Sequence, residues 1–116
     1  MSAFNESELG YLRSKPGLGR LASIGPDGLP HVVPLGWSYN QERDTIDIGG
    51  RDLENTQKFR NVTADSRVAI VIDDVLPPWR PRAVLVRGHA SALEDDGQPI
   101  IRITPEHVSS WGTDER

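Results

Sequence analysis

Two prolines inside one apolar stretch constrain the fold of this chain more than any other feature. Pro30 and Pro34 interrupt the segment from Asp27 to Trp37, and proline has no backbone N–H to donate to a neighbouring strand. Within a sheet, such a segment has to be an edge strand, an opening or a split. The sequence therefore predicts unpaired backbone along this strand, and in a barrel such a gap favours a ligand slot.

The flanking residues predict two more strands. Residues 18–25 end in a Gly-Pro-Asp-Gly turn, which favours a hairpin with its tip at 25–28. Strands are predicted at 18–25, 29–39 and 44–49, with residues 40–44 as a polar loop. Because the loops between them are short, the three strands should form an antiparallel meander.

Capping signals predict a short helix near the start of the chain. Asn5 has the character of an N-cap, with Glu8 at the third helical position. Phe4 and Leu9 have the spacing of a hydrophobic staple around that cap. The helix is expected to continue to about Ser14, before a Pro-Gly pair ends it.

A second helix is predicted over 53–64. Asp52 is expected to cap it, and the apolar residues Phe59 and Val62 recur at helical spacing. It follows a Gly-Gly pair that should close the third strand. The pattern predicts only one long helix in the interior of the sequence.

The second half of the chain predicts three more strands. Residues 68–72 and 83–86 are continuous apolar runs, which favour strands buried on both faces and so a closed barrel or a partner subunit. The proline-rich connection 73–81, which carries Trp79, is expected to be a rigid exposed loop, and a last strand is predicted at 100–103. The simplest fold is a mainly β, six-stranded antiparallel barrel with short helices. A mixed α+β sandwich is the alternative.

Composition narrows the class of protein. With 116 residues, the chain is expected to form a single domain over 1–116. The net charge of −4 argues against nucleic-acid binding, and the lack of cysteine excludes disulfides and thiol catalysis. No apolar run approaches the roughly 20 residues that span a bilayer, and no secretory signal is apparent. We expect a cytoplasmic protein.

The sequence lacks the motifs of the common hydrolases and nucleotide-binding enzymes. It has no Walker lysine loop, GxGxxG, HExxH or GxSxG pattern, which argues against acid–base or nucleophilic hydrolysis. His31, His89 and His107 stand singly, without a second ligand at metal spacing. We therefore predict no metal site and interpret the histidines as surface or rim residues.

One segment could bind a phosphate. Gly49, Gly50 and Arg51 lead toward the second helix, and glycine lets a ligand approach the backbone. The polar side of that helix carries Thr56, Gln57, Lys58 and Arg60. The alternative is purely structural, since Glu54 and Lys58 have the spacing of a helical ion pair. A second basic stretch, Arg80, Arg82, Arg87 and His89, could bind an anion or simply face solvent.

The order and spacing of several strings resemble a known family. They lie at residues 19–30, 34–37, 46–50, 58–62, 66–69, 101–105 and 110–112, so they extend over nearly the whole chain. Together they are similar to the flavin-binding split barrels related to pyridoxamine 5′-phosphate oxidase. Within that family, they resemble the small actinobacterial members that use a deazaflavin.

The resemblance implies a homodimer with a cofactor at each subunit interface. By position, Lys58 with Thr56 and Gln57 would hold the cofactor phosphate. The ring would lie against main-chain groups of Val32, Val33, Pro34 and Gly36, and the ribityl chain would be flanked by Gly49, Gly50 and Arg51. From the partner, Trp79 and Arg80 would reach in, while Trp111 would close the pocket.

Each of these residues also has a structural explanation. Pro34 could simply end a ladder, Trp79 could pin its own loop, and Trp111 could cap the barrel. Family members often place a second basic residue two positions before the lysine, where this chain has Thr56. Side-chain contacts to the phosphate are therefore expected to be fewer here.

The function implied is an F420-dependent oxidoreductase that transfers a hydride between the reduced deazaflavin and a small unsaturated or carbonyl substrate. The cofactor carries such chemistry, so no catalytic side chain is required. The alternatives are an FMN-dependent oxidoreductase of the pyridoxamine-phosphate-oxidase type, a non-catalytic dimer that binds a flavin, deazaflavin or haem, and a plain structural dimer. Loops near 31, 75–82 and the C-terminus form the substrate pocket in such a fold, and their generic chemistry names no substrate.

Overall fold

The computed structural model describes residues 1–114 as one antiparallel sheet with short helices. Glu115 and Arg116, the end of the predicted 1–116 domain, lie outside the described residues. The helices are α1 (Glu6–Arg13) and α2 (Gln57–Ala64), and a 3₁₀ helix, Leu53–Asn55, precedes α2. The strands are β1 (Gly19–Ile24), β2 (Pro30–Leu35), β3 (Ser38–Asn40), β4 (Thr45–Ile48), β5 (Arg67–Leu76), β6 (Arg80–Asp95) and β7 (Gln98–Trp111).

The strand order shows that the sheet closes on itself. The order is β2-β1-β5-β6-β7-β4-β3, so β2 and β3 are its two edges, yet only Gly36 and Trp37 separate them in the chain. Three Cα steps span at most about 11 Å, so the two edges meet at this corner and the sheet must curl into a barrel. Within residues 1–114 no ladder joins β2 to β3, and the barrel is split there.

The predicted split barrel is therefore confirmed, with seven strands in place of the six expected. The difference comes from the predicted strand 29–39. It is divided at Gly36 and Trp37 into β2, which pairs with β1, and β3, which pairs with β4. β2 is an edge strand, as its two prolines predict.

Aliphatic side chains from alternate strand positions fill the barrel. The fully buried strand residues are Leu21, Ile46, Ile48, Ile70, Ile72, Val84, Val86, Ile101 and Ile103. The two apolar runs were expected to be buried on both faces, and this is wrong for the single chain. Ile70 and Val84 face the interior, whereas Val71 and Leu85 lie on the outer face and are only half-buried.

A bulge between β6 and β7 demands glycine. Arg87 pairs with His107, but Gly88 pairs with Pro105, so Glu106 is the extra residue of β7. A Cβ at Gly88 would lie 2.1 Å from the carbonyl oxygen of Thr104, a distance that no side chain can adopt. Close backbone approach, rather than an unusual φ angle, accounts for this glycine.

The predicted loop 73–81 is mostly strand, which corrects the sequence interpretation. β5 continues to Leu76 and β6 begins at Arg80, so only residues 77–79 form the turn. The prolines of this segment lie in the turn or near the end of the ladder, where missing donors are tolerated. The last strand, predicted at 100–103, is also longer than expected, because β7 continues through the bulge to Trp111.

The two helices differ in how well their starts were predicted. At α1, Asn5 Oδ1 accepts the Glu8 N–H and a Glu8 carboxylate oxygen accepts the Asn5 N–H, which confirms the predicted cap. At the second helix, the predicted cap is wrong. Asp52 has a left-handed φ of 57° and caps nothing with its side chain, and α2 begins only after Thr56. Neither helix within residues 1–114 is long and apolar enough to cross a membrane.

Candidate functional site

The free edge of β2 exposes the backbone that the prolines leave unpaired. In the register of the β1–β2 hairpin, the Gly25 N–H donates to the Leu29 carbonyl at 2.9 Å. Hydrogen-bonded pairs alternate with non-bonded pairs along an antiparallel ladder. The set that contains Pro30, Val32 and Pro34 therefore directs its backbone away from β1. Of these three, only Val32 can donate an N–H to a ligand at this edge.

The predicted ring-lining residues thus differ in what they can offer. Val32 is 61% exposed, and both Pro34 and Gly36 are exposed. Val33 lies opposite Leu21, in the set that bonds to β1, so its side chain faces the barrel and its backbone is already paired. The open main-chain groups of this edge are those of Val32, Pro34 and Gly36.

At the start of α2, a lysine has no partner while its neighbours do. Thr56 caps the helix, since its hydroxyl accepts the Phe59 N–H at 3.3 Å and donates to the Leu53 carbonyl at 2.6 Å. Lys58 is half-buried and makes no hydrogen bond or ion pair within residues 1–114. The alternative pair with Glu54 is not formed, because Glu54 belongs to the separate 3₁₀ turn.

A chain of amide hydrogen bonds ties α2 to the sheet. An Arg60 Nη donates to Gln57 Oε1 at 3.0 Å, and Gln57 Nε2 donates to Asn61 Oδ1 at 2.6 Å. Asn61 Nδ2 then donates to Ser23 Oγ at 3.1 Å inside the protein. Because Gln57 is held at both ends, it can offer a ligand little beyond its remaining N–H.

A groove of about 610 Å³ lies between this helix and the β1–β2 turn. Pro26, Leu29 and Pro30 form its apolar wall, and Gln57 and Asn61 line it from α2. His31 also lines the groove, so the interpretation as a rim residue holds for this histidine. Its Nδ1 is buried and has no hydrogen-bond partner among the described residues.

The groove continues along α2 to the carboxylate of Asp65. Asp65 lines the continuation, and hydrogen bonds from Arg67 lower the pKa of Asp65 to about 2. Asp65 therefore stays ionised at neutral pH, with its charge paired to that of Arg67. An anionic ligand group is better accommodated near Lys58 than near Asp65.

The residues after β4 leave the backbone open. Gly49, Gly50 and Arg51 are exposed, and no atom lies within 4 Å of a Cβ built at either glycine. Gly50 has φ of 144°, a conformation that side chains rarely adopt. A ligand could therefore approach this stretch of main chain closely.

The remaining predicted residues lie at the other end of the barrel. Trp111 pairs with Ala83, which in turn pairs with Asp73 on β5. The stretch of β5 from Arg67, next to α2, to Asp73 spans about 20 Å at about 3.3 Å per residue. Within one chain, Trp111 is therefore far from the groove.

The tip of the β5–β6 hairpin extends beyond Trp111. Trp79 is 74% exposed there, and Trp111 is 50% exposed. Arg80 Nε approaches the Pro77 carbonyl at 3.4 Å. The single chain does not bring Trp79, Arg80 and Trp111 to the residues of α2 and β2, so their predicted roles stay predictions that depend on a second subunit.

The second basic stretch does not form a single patch. Alternate residues of β6 face opposite sides of the sheet, so Arg82 is separated from Arg87 and His89. Arg82 pairs with Asp74 and stacks over the Tyr11 ring, 4.8 Å from its centroid. Within residues 1–114, Lys58 at one predicted anion site and the exposed Arg87 at the other make no hydrogen bond or ion pair.

The side chains and backbone groups that the protein leaves without a partner fit a flavin-type cofactor. Lys58 can hold a phosphate, the glycine backbone leaves room for a chain, and the β2 edge presents a main-chain donor. The resemblance implied a substrate pocket near residue 31, but sequence reasoning named neither the groove beside α2 nor His31 as a site residue. Only the place of His31 just after a predicted turn could have indicated them, because a single histidine carries no pattern.

Comparison with known proteins agrees with this fold. A family model described as pyridoxamine 5′-phosphate oxidase matches residues 6–99. A protein from Streptomyces rimosus, named 5a,11a-dehydrotetracycline/5a,11a-dehydrooxytetracycline reductase, is 43% identical over 119 residues. That match covers 94% of this chain and 83% of the relative.

Solved structures share the architecture at lower identity. A conserved hypothetical protein from Mycobacterium tuberculosis has a TM-score of 0.78 at 20% identity, and the match covers 97% of this chain and 88% of that one. A protein named F420 Reductase has a TM-score of 0.63 at 22% identity, with 81% of this chain and 90% of that one covered. At such identities the likeness shows the fold.

Proposed function

Because the chain belongs to the pyridoxamine 5′-phosphate oxidase family, we propose that it is an F420-dependent oxidoreductase that transfers a hydride between the reduced deazaflavin and a small unsaturated or carbonyl compound. Its Streptomyces relative carries the name of a reductase. The sequence strings of this chain resemble those of the family members that use a deazaflavin. The observation that carries the proposal is Lys58 at the start of α2, a half-buried cation that makes no hydrogen bond or ion pair within residues 1–114.

In this proposal, the phosphate end of the cofactor lies at α2. Lys58 provides the charge, and Gln57 and the cap residue Thr56 provide the flanking polar groups. The ribityl chain follows the open backbone of Gly49 and Gly50, with Arg51 beside it. These groups hold and orient the cofactor without moving during the reaction.

The β2 edge holds the ring. The cofactor supplies the hydride chemistry when bound. The Val32 N–H, and the backbone of Gly36, can donate toward charge on the ring, and the apolar Val32 and Pro34 side chains exclude water from one side. None of these tasks requires a general base from the protein.

We further propose a cytoplasmic homodimer with the cofactor at the subunit interface. The outer face of the sheet carries the half-buried Val71 and Leu85, and Val32 and Trp79 are exposed. An apolar face of this kind is typical of an interface. In the dimer, Trp79 and Arg80 of the partner subunit would reach the cofactor, and Trp111 would close its pocket.

FMN is the second candidate cofactor, because the family to which the chain belongs is described as pyridoxamine 5′-phosphate oxidase. The same site would then serve an FMN-dependent oxidoreductase. A dimer that only binds a flavin, deazaflavin or haem is distinguished by cofactor binding without turnover across a broad substrate panel.

Parallel titrations test the proposal. The protein is titrated with oxidised F420 and with FMN, and quenching of its three tryptophans is followed. We expect saturation by F420 at lower concentration than by FMN, and oxidation of reduced F420 when an unsaturated ketone is added. Preference for FMN would replace the deazaflavin proposal, and no binding of either would overturn both.

A lysine pair tests the phosphate site. Lys58→Ala should raise the Kd for F420 by about tenfold or more, since a charge-assisted hydrogen bond is lost, and should leave the dimer unchanged. Lys15, the only other lysine of the chain, gives the control Lys15→Ala, for which we expect the wild-type Kd. Equal affinities for both variants would sink the phosphate role of Lys58.

A further inference from the structure

The groove between the β1–β2 turn and α2 contains one polar side chain that the protein leaves without a partner. Asp27 Oδ1 accepts the Leu29 N–H at 3.1 Å, and Gln57 and Asn61 are hydrogen-bonded to each other. His31 alone among these groove-lining side chains makes no hydrogen bond within residues 1–114. Buried polar groups are nearly always paired, so an exception in a groove needs a cause.

The ring of His31 points to the α2 side of the sheet. His31 lies directly opposite Ser23 on β1, and side chains of paired residues share a face. Ser23 is buried and bonded to Asn61 on α2. The imidazole therefore enters the same space as the groove-lining face of the helix.

The two ring nitrogens have different surroundings. Nδ1 is buried without a partner, whereas Nε2 is not among the buried unpaired atoms and so remains open to the groove or to solvent. A proton on Nδ1 would be a buried donor without an acceptor. In the neutral tautomer that carries its proton on Nε2, no buried N–H is left without an acceptor, and Nε2–H is a donor available to a ligand.

The charges around the groove favour a neutral ligand. Asp27 lines it, and Asp65, whose pKa is held low by Arg67, stands at its continuation. Arg60 also lines the continuation and is bonded to the Asn55 carbonyl and to Gln57. Asp65 is paired with Arg67, and the positive charge of Arg60 offsets the negative charge of Asp27, so the groove offers an ionised ligand no net opposite charge and suits a neutral ligand with an acceptor oxygen.

We propose that this groove binds the substrate and that His31 is a catalytic residue whose Nε2–H donates to the carbonyl oxygen of an unsaturated ketone. The inference rests on the proposed function, because it places the hydride acceptor beside the strand edge that would carry the cofactor ring. The groove volume of about 610 Å³ lies in the range of small-molecule sites. Its apolar wall of Pro26, Leu29 and Pro30 suits the hydrocarbon part of such a substrate.

The hydrogen bond would act on the charge that develops during reduction. A hydride from the reduced cofactor forms a C–H bond at the β carbon, the C=C π bond breaks, and its electron pair moves toward the carbonyl oxygen. The substrate is reduced by two electrons and the cofactor is oxidised by two, and water supplies the proton that completes the product. His31 stabilises the enolate oxygen and keeps its own proton.

The test separates substrate binding from cofactor binding. The probes are 5a,11a-dehydrotetracycline, which appears in the name of the Streptomyces relative, and tetracycline, its reduced form. Calorimetry measures tetracycline affinity with and without oxidised F420, and tryptophan quenching measures the Kd for F420. The variants are His31→Leu, His31→Gln, which keeps an N–H donor, and the control His89→Leu.

We expect His31→Leu to weaken tetracycline binding about tenfold and to lower kcat/KM for the dehydro compound, with the Kd for F420 unchanged. His31→Gln should recover part of both losses, and His89→Leu should match the wild type. Wild-type tetracycline affinity in His31→Leu, or a loss of F420 affinity in place of tetracycline affinity, would overturn the inference. If His31-dependent tetracycline binding occurs without any F420 binding, the proposed function fails while the groove site stands.

Discussion

The corner where β4 meets β7 and the groove beside α2 differ in how fully the protein satisfies their half-buried polar side chains. Asp47 accepts hydrogen bonds from Arg102 Nε and Nη2, both at 3.2 Å, from Asn40 at 2.9 Å and from Thr45 at 2.8 Å. Arg102 also reaches Asp95 at 2.6 Å.

In the groove region, by contrast, His31 and Lys58 have no partner within residues 1–114. This difference separates the residues that stabilise the fold from those that are available for binding. Polar groups that the fold satisfies hold the barrel together, and those that it leaves open are available to ligands. The corner should therefore respond to mutation in unfolding experiments, and the groove region in binding experiments.

The largest loss of stability is expected at the bulge on the ladder that adjoins the corner. Gly88→Ala places a Cβ 2.1 Å from the Thr104 carbonyl oxygen, and backbone atoms cannot move aside cheaply. We expect the free energy of unfolding in urea to fall by about 3 kcal/mol or more. Gly10→Ala is the control, because α1 has open space at that position. It should stabilise the protein by roughly 0.5–1 kcal/mol.

The corner itself should come next. Arg102→Ala leaves the half-buried Asp47 carboxylate without its main partner, which should lower the free energy of unfolding by about 3 kcal/mol. Arg67→Ala removes an exposed arginine that pairs with Asp65 and should keep the wild-type urea midpoint. If the folded Arg102→Ala protein lost cofactor affinity in place of stability, the separation of the two regions would be wrong.

Acid should weaken the corner through its carboxylates. Burial alone would raise the pKa of Asp47, but hydrogen bonds from Arg102, Asn40 and Thr45 hold it below its ordinary value of 3.8. A depressed pKa in the folded state adds stability above about pH 3.8, and this is lost as the pH falls through the folded pKa.

Urea unfolding at a series of pH values measures this loss. Asp47→Asn should be less stable than the wild type at pH 7. Between pH 5 and pH 3, a window of roughly two units, it should lose less stability than the wild type, because it has no carboxylate to protonate at this position. An equally steep acid dependence in both proteins would assign the loss to other carboxylates, such as Asp74, whose pKa is lowered by Arg82.

The smallest change in stability is expected where the two kinds of residue meet, at the start of α2. Thr56→Ala removes the cap of the helix and should cost about 1 kcal/mol, and Thr56→Ser should restore most of it. Because the Thr56 hydroxyl already bonds to Leu53 and Phe59, its loss should raise the Kd for F420 less than Lys58→Ala does. A larger effect than that of Lys58→Ala would make Thr56 the main phosphate ligand.

Local signals in the sequence predicted the parts of the fold that depend on neighbouring residues. The Asn5 cap and the β1–β2 turn are set by residues within a few positions, and both are present. The second helix was misjudged because Asp52 and Thr56 both have the character of caps, and only the packing of Leu53 in the core decides between them. The segment 73–81 was misjudged because its pairing partner supplies the order that its prolines discourage.

The candidate site was predicted unevenly for the same reason. Lys58 and the glycines after β4 were named from a local pattern and from resemblance. His31 could not be named as a ligand contact from the sequence. Its importance depends on Ser23, which pairs with it across the hairpin, and on Gln57 and Asn61 of α2, which are distant from it in the chain.

By itself, the sequence determined where the sheet could not close. Pro30 and Pro34 remove backbone donors wherever the chain places them, so β2 had to be an edge. The tertiary structure alone decided which polar side chains find partners. Pairing requires residues distant in the chain to meet, and only the closed barrel sets those distances. Asp47 meets Arg102 in this way, whereas His31 and Lys58 each lack a partner within residues 1–114.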